Sequence, residues 1–251
     1  MEVWRLALSL FACDTICPMK ARLAGVSLLL ASALLYSQTA QVEITAEPAH
    51  HLVLQNAYVR VFKVEAPPHA STRMHWHRHD YFFVTLGATE VSNEVEGKPP
   101  VTLKLQDGEV RFLPGGFAHI VRNLADTPFR NVTIELLQDE QARKNPPPPW
   151  DEERGLEVHH NGTQDILFVK DGVRASEFEL QPGGMVHKHH HVGPHLVVAV
   201  SDIELRSDVE GKGSSVSKLK SGEVMWLKGG YTHSLMNVGK NPAKWVTLEF
   251  H

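Results

Sequence analysis

The sequence predicts an all-β protein built as two copies of one strand-rich domain, and three observations carry that reading. Short apolar runs of strand length alternate with Gly and Pro turns. A set of histidines and glycines recurs at a constant offset. Four consecutive prolines, Pro146 to Pro149, separate the two sets. At 251 residues, 42% hydrophobic and 22% charged, the chain has ordinary globular composition and length for one large domain or two small ones.

The first forty residues differ in kind. Lys20 and Arg22 precede an uncharged 14-residue stretch, Leu23 to Tyr36, and small or polar residues continue to Ala40. This is the layout of a secretory signal peptide over residues 1–40, short for a membrane span. An uncleaved anchor is the alternative, and Met19 is a candidate start. Both cysteines, Cys13 and Cys17, fall in this leader. The processed protein is therefore expected to be periplasmic or secreted, free of membrane after cleavage, with neither disulfide nor thiolate metal site. The formal net charge is -4, and no basic block interleaves with aromatics, so no nucleic-acid partner is expected.

Strands follow in order. His51 to Glu65 is rich in Val, Leu, Tyr and Phe, alternates around Val59 and Val61, and ends at Pro67-Pro68. Tyr81 to Leu86 is a continuous β-branched and aromatic run, as expected for a strand buried on both faces. Val101 to Leu105, Glu109 to Leu113, His119 to Arg122 and Arg130 to Leu137 are further strands, with turns at Asp107-Gly108 and Pro114-Gly115-Gly116. Short strands at this cadence suggest a sandwich or barrel.

Residues 138–165 are polar, charged and proline-rich, the natural linker between domains at 48–137 and 166–250. Beyond them the first half returns. Val59-Arg60 matches Val173-Arg174, Val95-Glu96-Gly97-Lys98 matches Val209-Glu210-Gly211-Lys212, and Gly108-Glu109-Val110 matches Gly222-Glu223-Val224. Each pair is separated by 114 residues, the interval from His75 to His189. Each copy must be a self-sufficient β unit.

The chemistry concentrates in His75-Trp76-His77-Arg78-His79-Asp80. Imidazoles at i and i+2 of a strand leave the same face and can chelate one ion from a rigid base. Asp80 can add an oxygen, and His119, after two tight turns, begins a strand returning to the same cavity. The second copy offers His189, His191, His195 and His233.

This pattern resembles the cupin superfamily over both halves of the mature chain. The second cupin motif, Gly-x5-Pro-x-Gly-x2-His-x3-Asn, is met by Gly108, Pro114, Gly116, His119 and Asn123. It is met again by Gly222, Gly230, His233 and Asn237, with Lys228 in the proline position. The first motif fits with departures. His69 stands for its leading Gly, and Asp80 is preferred over Tyr81 as the acidic ligand because Asp80-x6-Gly87 restores the closing spacing. In copy two, His195 replaces the acid and Asp202 the closing Gly.

The resemblance implies a bicupin of two tandem jelly-roll-like β-barrels, each with a cavity in its mouth. It implies a metal at His75, His77, Asp80 and His119, and another at His189, His191, His195 and His233. Nitrogen and oxygen ligands suit a divalent Fe, Mn, Ni, Co, Cu or Zn ion. Three histidines and an aspartate leave a smaller positive charge than four histidines. Site two should therefore attract anions, and site one is expected to be the seat of redox or Lewis-acid chemistry.

Two functions stand. One is an exported metal-dependent enzyme, a dioxygenase-like oxidoreductase acting on a small organic acid or phenolic compound. The other is a non-catalytic cupin that binds metal or a small ligand. A small-molecule partner is expected either way. A homodimer is left open, since two halves already imitate one. Arg60 and Arg174 are expected in ion pairs, Phe82, Phe83 and Phe112 in core packing, and His50-His51 on the surface or in structural roles.

Overall fold

A computed structural model describes residues 40–139, 144, 160–170 and 172–251. All of the expected signal peptide but Ala40, and most of the proline-rich linker, lie outside the described residues. None of the described helices is long and apolar enough to cross a membrane.

The first barrel is two five-stranded sheets. One contains β1 (Val42–Glu43), β4 (His75–His77), β6 (Thr89–Val95), β7 (Val101–Leu105) and β9 (Phe117–Asn123), in the order β1-β4-β9-β6-β7. The other contains β2 (His50–Gln55), β3 (Val59–Ala66), β5 (Tyr81–Thr85), β8 (Val110–Leu113) and β10 (Phe129–Leu136), in the order β2-β3-β10-β5-β8. The single strand expected from His51 to Glu65 is a hairpin. Asn56 Oδ1 accepts from the N–H groups of Tyr58 and Val59, closing the turn between β2 and β3.

The second barrel repeats this with β11 (His160–Lys170), β12 (Val173–His191), β13 (His195–Ala199), β14 (Ile203–Val209), β15 (Gly213–Leu219), β16 (Val224–Leu227), β17 (Tyr231–Asn237) and β18 (Ala243–Phe250). β11 starts at His160, inside the span read as linker. It pairs with β12, so the strand-rich part of the second copy begins earlier than the sequence indicated.

One difference between the copies has a simple cause. β12 pairs with β18 through Val173 to Leu180 and with β17 through Met185 to His191, joining both sheets in one strand. In the first barrel Pro67-Pro68 removes two successive N–H donors, and the same path is split into β3 and β4. Where the path bends, Gly183 has φ 78° and its counterpart His69 has φ 58°. The bend demands left-handed backbone, which explains why a glycine is expected there and marks His69 as a costly substitute.

The continuous apolar runs are explained by packing on both faces. Along β5, Phe82 and Val84 join a core that also holds Leu196 and Val198 of β13, while Tyr81 and Phe83 line the first barrel's interior. One face of β13 likewise packs on the other barrel, and Val197 lines its own cavity. The two barrels meet sheet to sheet, and the sites lie inside each barrel, away from that junction.

Candidate metal centres

His75 and His77 occupy alternate positions of β4, and His119 of β9 is the direct cross-strand neighbour of His75. The second barrel repeats this with His189 and His191 on β12 and His233 opposite His189.

Most of these rings are held at Nδ1. His75 donates to the Arg73 carbonyl at 2.8 Å and His119 to Asn93 Oδ1 at 2.7 Å. His189 donates to the His187 carbonyl at 2.7 Å, and His233 Nδ1 meets Ser207 Oγ at 2.8 Å. A proton committed to Nδ1 leaves the Nε2 lone pair facing inward.

In the second barrel the Nε2 atoms of His189, His191 and His233 form a triangle with edges of 3.0, 3.1 and 3.1 Å. In the first, His75 and His119 Nε2 are 3.0 Å apart. Converging lone pairs repel unless a cation sits among them. Ligands at right angles around an ion at about 2.1 Å would stand about 3.0 Å apart, so the donor set fits a divalent metal. Burial, reinforced by neighbouring imidazoles, pulls His75 down to about 4 and His233 to about 3, and holds His77 and His119 well below the ordinary histidine range. These rings are therefore neutral and able to ligate at neutral pH.

Behind each middle histidine stands a carboxylate. Glu249 Oε1 accepts from His191 Nδ1 at 2.8 Å, and its Oε2 accepts from Arg174 Nε at 2.9 Å and also from the Arg174 terminal nitrogen. Burial opposes ionisation of Glu249, yet His191 and Arg174 outweigh it and bring the group down to about 2. The equivalent Glu135 pairs with Arg60 at 3.1 Å but stands 3.9 Å from His77 Nδ1. Burial raises its carboxyl despite that arginine. Both arginines thus form the expected ion pairs. The sequence signal for both acids was visible, a carboxylate recurring at the same place in the two copies, in Val132-Thr133-Ile134-Glu135 and Val246-Thr247-Leu248-Glu249.

Asp80 requires a correction. Its Oδ1 accepts the Gly115 N–H at 2.8 Å, its own N–H donates to Asp139 Oδ2 at 2.9 Å, and it does not line the cavity of the histidines. The residue at the position of His195 is Tyr81. Tyr81 faces Glu135 across the ladder as His195 faces Glu249, and it stacks on His77 at 3.9 Å as His195 stacks on His191 at 4.0 Å. The motif spacing misled because it favoured an acid over a ring. His195 also stands beside its triad, with Nε2 3.1 Å from the Tyr231 hydroxyl. Tyr231 was not singled out in the sequence.

The motif asparagines act on the fold. Asn123 Nδ2 donates to the carbonyls of Ala66, Pro67 and Thr127, and Asn237 Nδ2 to those of Leu180 and Asn241. Each ties the turn after its histidine strand to the bend before the paired histidines.

The cavities are unequal. The second barrel encloses about 440 Å³, lined by its four histidines and by an apolar wall including Leu205, Leu235 and Trp245. The first encloses about 60 Å³ around His50, His75, His77 and His119. His50, expected on the surface or in a structural role, is buried against this site. With Asp80 outside, the charge argument favouring site one no longer holds, and space favours site two.

No protein-family model matches the sequence, and no curated protein matches it. Solved structures do. A tryptophan-to-tyrosine variant of oxalate decarboxylase from Bacillus subtilis aligns with TM-score 0.56 and 13% identity over 78% of this chain and 69% of that one. A structure of the same Bacillus subtilis enzyme, described for its Mn(II) centres, aligns with TM-score 0.55 and 13% identity over 80% and 76%. An oxalate decarboxylase described for its substrate-binding mode gives 0.56 and 14% over the same shares. The two barrels and their order give this chain the bicupin fold, and its histidine clusters are sites that can hold a divalent metal ion.

Proposed function

We propose that the protein is an exported metal-dependent enzyme, a dioxygenase-like oxidoreductase whose second barrel transforms a small organic acid or phenolic compound. The observation that carries this reading is the His189, His191 and His233 triad opening onto a cavity of about 440 Å³, within the size range of small-molecule sites. A bound metal would supply Lewis acidity and electron transfer there.

The chain's own residues set the substrate. The four site residues of this barrel are all histidines, so no carboxylate ligand offsets a divalent cation, and anions are favoured. Lys212 and Lys228, both exposed, also line the cavity and extend the positive field outward. Leu205, Leu235 and Trp245 accept an apolar body, so the space suits an acid with a hydrocarbon or aromatic frame. Tyr231, pushed up to about 12 by burial and by the charge of Glu249, stays protonated and donates to neutral His195. That pair can move a proton at the cavity wall without resting charge.

Export rests on the leader of residues 1–40. The partner is a small molecule, and a homodimer remains part of the proposal. Oxygen uptake and product formation by the metal-loaded protein with aromatic and aliphatic carboxylates and phenols test the reading. Turnover lost in His191→Gln supports it. Absence of turnover across the set, with both barrels loaded, favours the non-catalytic alternative, which the small cavity of the first barrel already suits.

A further inference from the structure

The first barrel contains a histidine for which the second has no counterpart. His50 opens β2, and the residue 114 positions later is Gln164. His50 is 9% exposed, its ring centroid lies 4.6 Å from that of His75, and one of its ring nitrogens falls with those of His75 and His77 in a group no wider than 4.8 Å.

Its orientation is fixed from behind. Nδ1 lies 2.6 Å from Glu47 Oε2, with both side chains buried. Glu47 is itself held by the N–H groups of Ala49 at 2.8 Å and Arg73 at 3.1 Å. The Arg73 carbonyl takes the proton of His75 Nδ1, so one short network holds both imidazoles from behind. A carboxylate behind a histidine that presents Nε2 forward is the arrangement that orients metal ligands. Asn161 stands at the position of Glu47 in the second copy, so acid and imidazole are absent there together.

Around His50 and His75 the cavity of about 60 Å³ has room for a few waters and for no organic substrate. We propose that the first barrel binds its metal through four imidazoles, with His50 joining His75, His77 and His119 in a closed centre that secures the fold. Closed sets of four protein ligands are typical of structural metals, and open sets of reacting ones. The metal would also pin the segment from Glu47 to His50 onto β4.

The test uses the full chain carrying His191→Gln and His233→Gln, so that Co(II) added as probe reports the first barrel. One Co(II) per chain is expected, with visible bands that report its set of imidazole ligands. Adding His50→Gln should lower affinity by about tenfold or more and weaken those bands. His50→Gln alone could unfold the chain by stranding the Glu47 carboxylate. The Glu47→Gln, His50→Gln pair, checked by circular dichroism, then gives the same comparison. Affinity within about twofold and an unchanged spectrum would overturn the proposal by reducing His50 to cavity wall. Failure of the parent chain to bind Co(II) would overturn it as well. Neither result bears on chemistry in the second barrel.

Discussion

Glu249 Oε1 lies 2.8 Å from His191 Nδ1 and ties that ring to the Arg174 guanidinium on the far side of the carboxylate. The middle histidine of the second barrel is thus fixed in tautomer and direction before any ion arrives. Glu249→Gln should weaken metal binding in the second barrel about 10- to 100-fold, the usual range for an outer-shell partner. Chelator competition with barrel-resolved variants measures it, and an equal loss in the first barrel would refute the local reading.

Asp80 braces a turn where a ligand was expected. Asp80→Asn should leave first-barrel metal affinity within about threefold while lowering stability by roughly 1 kcal/mol, since the contact to the Gly115 N–H persists with a neutral acceptor. Metal titration and urea unfolding of the same sample separate the two effects. Loss of the metal would restore Asp80 as a ligand.

Asn123 is fully buried and serves three carbonyls. Asn123→Ala should cost roughly 1–3 kcal/mol in urea unfolding because those acceptors lose a donor where water cannot replace it. A change below about 0.5 kcal/mol would contradict its role as a tie.

Metal-free protein should lose stability as pH falls from 6.5 toward 4. His75, His195 and His233 are lowered from 6.5 to about 4, 4 and 3, chiefly by burial. In that window the unfolded chain takes up protons that the folded rings refuse, so stability rises with pH. Urea midpoints of chelator-treated protein at pH 7.5 and pH 5 check the sign; equal midpoints would refute it.

The duplication was legible because strands, turns and ligands all keep one offset, and His75, His77, His119 and their partners in the second copy follow from that pattern. The strand Thr89–Val95 was not, because Glu90, Ser92, Asn93 and Glu94 mask its alternation. His50 was missed for a different reason. It reaches the site from a strand outside both motifs, and its partner Glu47 precedes it in a turn. Tyr81 lost to Asp80 because sequence spacing cannot tell which of two adjacent residues points inward, a distinction that strand register makes at once.

The core shared by the two barrels has a thermodynamic consequence. Phe82, Val84 and Ile134 of the first half bury their surface against the second half's Leu196, Val198 and Leu248, and either half alone would expose that face to water. The halves should therefore melt in one cooperative transition. A ligand filling either barrel to 100 times its dissociation constant would add about 2.7 kcal/mol to the stability of both. Occupancy of the small closed site would in this way raise the temperature at which the roomy one can still work, although no atom passes between them.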